Sequence, residues 1–365
     1  MNTRNASFRD LARIEQLYRD NAAADERDGV MPVLSADSPV PQQAVVRLWY
    51  AVSKTLSSLV PLTDAGDKIY VAEDTDGRVC GFIQAQSVPG NKNSWQILNL
   101  CTARGKGHFA REPLLTHLTH KGSEHGVKRF HVRLPLDHPL VPIFLEQGFT
   151  QYATEQILFH EDSRPRLVSG VSGAVSPGPL RAARREDLGG IYLLYLRTTP
   201  SHVANLEGPS LKAWQAAFQE GALARMGRED TRHFVAEDAG ISAWCAMRPA
   251  SSARPTLLAL MCEGHDPQFR EEVITAALAQ APPGPLVCVL RHYDSELIRV
   301  LQGRGFEIFG SQLLLVRDLA TKVKLRAATL KKQPVLAHAG VIQSMDAPFR
   351  VLSSRVPRRS KSSPK

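Results

Sequence analysis

The chain has 365 residues, of which 43% are hydrophobic and 22% charged, with 5 cysteines and a formal net charge of +9. That length suits two domains of ordinary size, and the composition is that of a globular protein with no run of about 18 apolar residues to span a membrane. The cysteines are scattered without a CxxC pair, against a disulfide framework or zinc site, and the N-terminus lacks the apolar stretch of a secretory signal, so the expected location is the cytoplasm.

Phe8, Leu11, Ile14, Leu17 and Tyr18 fall at helical spacing and predict an N-terminal helix. Residues 20–60 are the least regular part; the Pro- and Asp-rich run "DERDGVMPVLSADSPVPQQ" reads as a substrate-covering loop. Lys68 to Glu73 alternates as a strand, "DTDG" makes a turn, and Val79 to Gln86 forms the next strand. Ser94 to Cys101 is a third strand. His108 to Glu124 carries Leu114, Leu115 and Leu118 at helical spacing. Val127 to Leu134 reads as a strand, Pro139 to Gln147 as a short helix and Phe149 to Phe159 as a strand. Further on, strands are expected near 231–237, 241–248 and 256–262, a helix near 267–280, a strand at 286–291, a helix at 293–303 and a strand at 306–317.

The second series repeats the first. "YVAED" at 70–74 recurs as "FVAED" at 234–238, and "FHVRLPLDHPLVPIFLEQGF" (130–149) aligns without a gap on "VCVLRHYDSELIRVLQGRGF" (287–306). In that alignment Phe130 matches Val287, Val132 matches Val289, and Gly148-Phe149 matches Gly305-Phe306. A unit this long is a duplicated domain, since solenoid repeats run about 20–50 residues. The Ser-, Gly- and Pro-rich stretch 161–179 is the linker between a domain at 1–160 and one at 180–320. Residues 321–365 hold eleven Lys or Arg against one acidic residue, Asp346, a net +10 that leaves −1 for the first 320 residues. This basic tail is expected to be largely disordered. It reads first as a solubilising extension; contact with nucleic acid or anionic lipid by charge is the alternative. Antiparallel strands followed by strand–helix–strand–helix–strand make each domain an α/β (α+β) unit, a mixed, mostly antiparallel sheet flanked by helices.

Between the third strand and the long helix lies "RGKGHF" (104–109). The free amides of a helix start, with the positive end of its dipole, attract an anion. Gly105 and Gly107 let the backbone approach a phosphate, Arg104 and Lys106 add positive charge, and no Asp or Glu intervenes. Neither GxxxxGK[ST] nor GxGxxG is present.

Strand, "RGKG", helix, strand and a short helix ending in "EQGF" resemble the GNAT superfamily of acyl-CoA-dependent N-acyltransferases, in tandem form with a degenerate second copy. That family's signature, (Q/R)-x-x-G-x-(G/A), is matched by Arg104 and Gly107; Phe109 stands where the last small residue belongs, with Ala110 next. The resemblance implies that Arg104, Gly105, Lys106, Gly107, His108 and Phe109 hold the pyrophosphate of acetyl-CoA. It implies also that the strand backbone around Asn99 and Leu100 pairs with the pantetheine arm, and that a splay between this strand and the one from Val127 admits the thioester. The implied reaction moves an acetyl group to a primary amine of a small molecule or peptide; the alternative is a non-catalytic binding or scaffold protein of the same fold.

The second copy reads "ALMCEGHDPQFREEV" (259–273) at the equivalent junction, with Glu263 and Asp266 where phosphates would sit, so no CoA is expected there. The family often supplies a proton from a Tyr four residues before the Gly of the "GF" strand start; here that position is Phe144, and Leu301 in the second copy, neither a proton donor. Asp137, where the family often has Asn, reads as the N-cap of a helix starting at Pro139. Tyr152 faces either core or cleft, and Glu73 and Asp74 are either base candidates or turn residues. His117, His120 and His125 read as a solvated helix face, and no metal is expected. No catalytic residue is assigned.

Overall fold

The computed structural model describes residues 1–27, 68–88, 91–161, 178–208, 211, 214–215, 231–250, 255–264 and 266–319. The loop expected over 20–60 falls outside them beyond Arg27, as do residues 162–177 of the linker and the tail from 320 on. In the first half, β1 (Asn2–Asn5) leads to α1 (Leu11–Arg27), then β2 (Lys68–Glu73), β3 (Val79–Val88), β4 (Asn91–Thr102), α2 (Arg111–Glu124), β5 (Arg129–Pro135), α3 (Val141–Glu146) and β6 (Thr150–His160). The second half runs β7 (Arg181–Ala182), α4 (Leu188–Thr198), α5 (Ser201–Glu207), β8 (Arg232–Glu237), β9 (Ile241–Arg248), β10 (Thr256–Cys262), α6 (Pro267–Ala279), β11 (Leu286–Arg291), α7 (Ser295–Gly303) and β12 (Glu307–Asp318). The expected strands and helices are present. The short strands β1 and β7 and the helices α4 and α5 were not anticipated.

Alternation in the strands separates two apolar faces. Trp95, Ile97, Phe130, Val132 and Leu313 point to one side, where Leu114, Leu115 and Leu118 of α2 and Phe144 of α3 cover them. Val71, Phe82 and Cys101 point to the other and receive Ile14 and Leu17 of α1. Burial of such a side chain contributes about 1.5–3 kcal/mol. Gly122 brings α2 onto β5: a Cβ there would lie 2.3 Å from Cζ of Phe130.

All twelve strands join one sheet in the order β1-β2-β3-β4-β5-β12-β6-β11-β10-β9-β8-β7. The two copies have therefore exchanged their last strands. β12 of the second copy lies against β5 of the first, and β6 of the first lies against β11 of the second. Between them β6 and β12 run antiparallel, with one extra residue bulging from each: Tyr152 and Phe309. These positions are 157 residues apart, the offset of the sequence repeat.

The duplication also reaches the N-terminal segments. Arg4 in β1 grips Asp10 with Nη1–Oδ2 2.7 Å and Nη2–Oδ1 2.9 Å, and reaches Glu73 in β2 at 2.6 Å. Arg181 in β7 grips Asp187 at 2.7 and 2.8 Å in the same bidentate manner and pairs with Glu237 in β8. Glu73 is thus the anchor of a strand-to-helix ion pair, and Asp74 accepts from the amides of Asp76 and Arg78 within its turn. Neither is presented as a base.

Two expectations are corrected. Phe130 and Val132 face α2, yet Val287 and Val289 do not face α6; Cys288 and Leu290 do. The gapless alignment therefore slips by one residue in the strand and holds only from the short helix onward, where Phe144 and Leu301 are both buried. Asp137 is not a helix cap: it lies in a turn, α3 starts at Val141 after Leu140, and the His138 ring accepts from the Leu140 amide at 3.1 Å.

Candidate functional site

The sheet opens beside β4. Its parallel ladder with β5 runs from Ser94–Arg129 to Ile97–Val132 and ends there, while β4 continues against β3 as far as Thr102–Gly81. The β3–β4 register shifts at this point, with Asn99 opposite Gln84 but Ile97 opposite Ala85, so Leu98 is an extra residue. A bulge at the mouth of a splay frees backbone groups that a regular strand would use in the ladder. Asn99 donates its side-chain amide to Gln84 at 2.7 Å, on the α1 side of the sheet, and Leu100 is buried on the α2 side.

At the end of β4 the chain makes a short 3-10 helix, Gly105–Ala110, and turns into α2. Gly105 sits at φ +73°, a left-handed angle that favours glycine, with open space where a Cβ would be. Ala110 is fully buried, and Gly81 of β3 admits it: a Cβ on Gly81 would meet Ala110 at 3.2 Å and Thr102 at 3.1 Å. The turn is thereby anchored at its Ala110 end, while no described residue crowds its Gly105 end. Arg104 precedes it as an exposed extended residue, and among the described residues no side chain caps the amides at its start. His108 contacts the Gly105 carbonyl through Nδ1, and its ring lies 4.0 Å from the exposed ring of Phe109. Arg111, unremarked in the sequence, tucks Nε 3.4 Å from the Thr102 hydroxyl, and burial lowers its pKa. The anticipated phosphate contacts at 104–109 and the strand positions Asn99 and Leu100 thus share one end of β4. Asn99 does so by its backbone, its side chain being engaged elsewhere.

The second copy repeats the splay and fills the turn. The β10–β11 ladder ends at Leu258–Cys288 while β10 continues to Cys262 against β9, with no bulge. At the start of α6 the Asp266 carboxylate accepts from the Gln268 amide at 2.8 Å, and Glu263 is held by Arg197 at 2.6 Å. A helix start already occupied by its own carboxylate repels a second anion.

On the α1 side, polar residues cross the middle of the sheet between α1 and α5. Glu155 of β6 accepts from Gln312 at 2.7 Å and pairs with Arg133 at 3.2 Å and Arg291 at 3.3 Å. Burial would raise its pKa, but the two guanidiniums outweigh that and hold it below the ordinary carboxylate value. Arg291 also reaches Glu207 of α5 at 2.5 Å, and Glu207 accepts from Tyr195 at 2.8 Å and Tyr152 at 3.4 Å. Tyr152, left open between core and cleft, belongs to this polar strip. His131 of β5 lies opposite Gln96, one rung before the splay, with its ring 6.1 Å from that of Tyr152. Its Nε2 is buried without a partner among the described residues. Burial brings its pKa down to about 4, aided by Arg133 and Arg129 and opposed by Glu207 and Asp318. The sequence signal for this strip was polar residues alternating inside apolar strands, as in "FHVRLP".

His117, His120 and His125 do not converge: His117 packs against Tyr70, His120 pairs with Glu124 and His125 contacts the Lys121 carbonyl. Among the described residues no group of three or more His, Cys, Asp or Glu is placed to hold a metal, and no helix is long and apolar enough to cross a membrane.

A strand splayed from its parallel neighbour, with a turn into a helix at its end, marks the GNAT fold. The chain carries that arrangement twice, in tandem, with the bulge in the first copy alone among the described residues. It superposes on a GCN5-related N-acetyltransferase from Sphaerobacter thermophilus with a TM-score of 0.52 at 12% identity, over 87% of this chain and 95% of that one. It also superposes on a tandem GNAT protein from the clavulanic acid biosynthesis pathway with a TM-score of 0.50 at 11% identity, over 88% and 99% of the two chains. At such identities the likeness is one of fold. No protein-family model matches the sequence, and no curated protein matches it.

Proposed function

We propose that the chain is an acyl-CoA-dependent N-acyltransferase that takes acetyl-CoA in its first copy and passes the acetyl group to a primary amine of a small molecule or peptide. The carrying observation is the contrast between two equivalent helix starts, one with the exposed Arg104 before it and no side-chain cap among the described residues, the other capped by Asp266. Gly105 to Phe109 would surround the diphosphate from the main chain, and Arg104 and Lys106 would balance its charge. The bulge at Leu98 leaves β4 amides near Asn99 and Leu100 for the pantetheine arm and for the thioester carbonyl, whose oxygen gains negative charge as the amine attacks. The splay lets the thioester reach the α1 side of the sheet, where an amine arrives from the opposite face. The similar N-acetyltransferase of solved structure supports this reading through fold alone. It is a reading for a cytoplasmic protein, with the tail as a secondary site of charge-driven contact.

One observation favours the rival, a non-catalytic CoA-binding module: Phe144 is buried against Phe149 with ring centroids 5.0 Å apart, and neither ring can give a proton to a leaving thiolate. Release of free thiol from acetyl-CoA, followed across a panel of polyamines, amino sugars and peptides, separates the two. Turnover with any member supports the transferase; binding of acetyl-CoA with no turnover favours the module.

A further inference from the structure

We infer that His131, braced by Tyr152 and by Glu207 of the second copy, is the residue that accepts the proton of the acceptor amine in the first copy's site. The inference rests on the transferase reading above and goes beyond it by giving the second copy a part in the chemistry.

Position comes first. His131 lies on β5 at the rung next to the Ile97–Val132 pair where the strands part, and strand alternation puts it on the face away from α2 and the 104–109 turn. A thioester entering through the splay from the α2 side meets its acceptor on this face. The polar groups flanking the opening here are Gln96 and Asn99 on β4 and His131 and Arg133 on β5.

Unfilled hydrogen bonding comes second. A buried ring nitrogen without a donor carries an unrepaid loss of hydration, and among the described residues none donates to Nε2; an amine N–H would fill that place. With its pKa near 4 the ring is neutral at pH 7, the form that accepts.

The brace comes third. Tyr152 bulges from β6 and lies edge-on to the His131 ring. Glu207, at the end of α5, takes the Tyr152 hydroxyl and stands as the carboxylate that favours a protonated His131. α5 is fixed over the first copy by Arg129 of β5, which donates to the carbonyls of Asn205 and Leu206, and by Asn91 of β4, which donates to the Gly208 carbonyl at 3.4 Å. The groups facing the ring are thus Tyr152, Glu207, Arg129, Arg133 and Asp318.

The step balances. The amine nitrogen bonds to the carbonyl carbon, the carbon–sulfur bond breaks, and the amine proton moves to Nε2 of His131. It then passes to the departing thiolate, which leaves as the thiol and restores the neutral ring.

The test uses the full chain with acetyl-CoA and hydroxylamine, a small amine probe, reading free thiol against pH, with each rate expressed per unprotonated hydroxylamine so that the probe's own titration drops out, and reading acetyl-CoA affinity by calorimetry. For His131→Asn, the expectation is unchanged acetyl-CoA affinity, about a 100-fold slower hydroxylamine-dependent release, and loss of the acidic limb of the pH profile. For Glu207→Gln, the acidic limb moves to lower pH, because removing the carboxylate charge lowers the His131 pKa. Wild-type rate in His131→Asn, an unmoved limb in Glu207→Gln, or a wild-type chain that binds acetyl-CoA without hydroxylamine-dependent release each overturns the inference. Failure of wild-type chain to bind acetyl-CoA instead overturns the transferase reading beneath it.

Discussion

Glu155 and Gln312 face each other across β6 and β12, and each is the other's counterpart in the repeat, 157 residues apart. They mark the pseudo-twofold axis of the sheet. Identical residues there would meet themselves, so an acid at this position in both copies would set two carboxylates against one another. The chain has one Glu and one Gln, joined at 2.7 Å, with Arg133 and Arg291 on either side.

Replacing Gln312→Glu restores that conflict. Two carboxylates at this separation do not both ionise easily, and one pKa rises sharply. The variant is expected to lose about 2–4 kcal/mol at pH 7 and to regain most of it near pH 5, where one carboxyl is protonated. Urea melts at the two pH values measure the difference; equal loss at both would show that shape, not charge, matters at the axis.

A second expectation follows from the buried imidazoles. Burial brings His131 and His233 down to about 4, below the ordinary value of about 6.5. The folded chain then binds fewer protons than the unfolded chain between those values. Stability from this source is present above about pH 6.5 and is lost as pH falls toward 4. Melting of wild type against His233→Gln across pH 4–7 should show a shallower acid loss in the variant.

Gly122→Ala tests the seat of α2 on the sheet. The added methyl would lie 2.3 Å from the Phe130 ring, itself 1% exposed and unable to swing away. Destabilisation of about 1–3 kcal/mol is expected, read as a lowered urea midpoint with unchanged slope.

The elements and the duplication were legible because strands alternate and helices recur at fixed spacing. The exchange of β6 and β12 was not. Pairing of Leu313 with Leu134 rather than with a strand of its own copy joins residues 179 apart, and local pattern carries no record of such a partner. The 104–109 turn was legible as a turn between strand and helix, because a glycine pair ahead of a helical repeat is a local signal. Of the polar strip only the alternation within single strands was legible; its assembly was not, because Arg133, Glu155, Glu207 and Arg291 come together from four elements and each alone resembles a solvated charge. The slip between Phe130 and Val287 came from reading two apolar strands without a marker of which face each side chain takes.

Asp266→Ala removes the cap of α6 and should cost about 1 kcal/mol of stability. Glu263 and the lack of a bulge in β10 remain, so no acetyl-CoA site is expected to appear in the second copy. Calorimetry on this variant checks both halves: a lower melting point and an unchanged number of acetyl-CoA sites.

Titration calorimetry of acetyl-CoA into wild-type chain and into the double variant Arg104→Glu/Lys106→Glu asks the most direct question of the account. One site per chain is expected in the wild type, and affinity at least about tenfold weaker in the variant, the outcome that the proposed diphosphate site at 104–109 predicts for reversal of two charges. Two sites per chain, affinity indifferent to both reversals, or no heat at near-millimolar acetyl-CoA would contradict it.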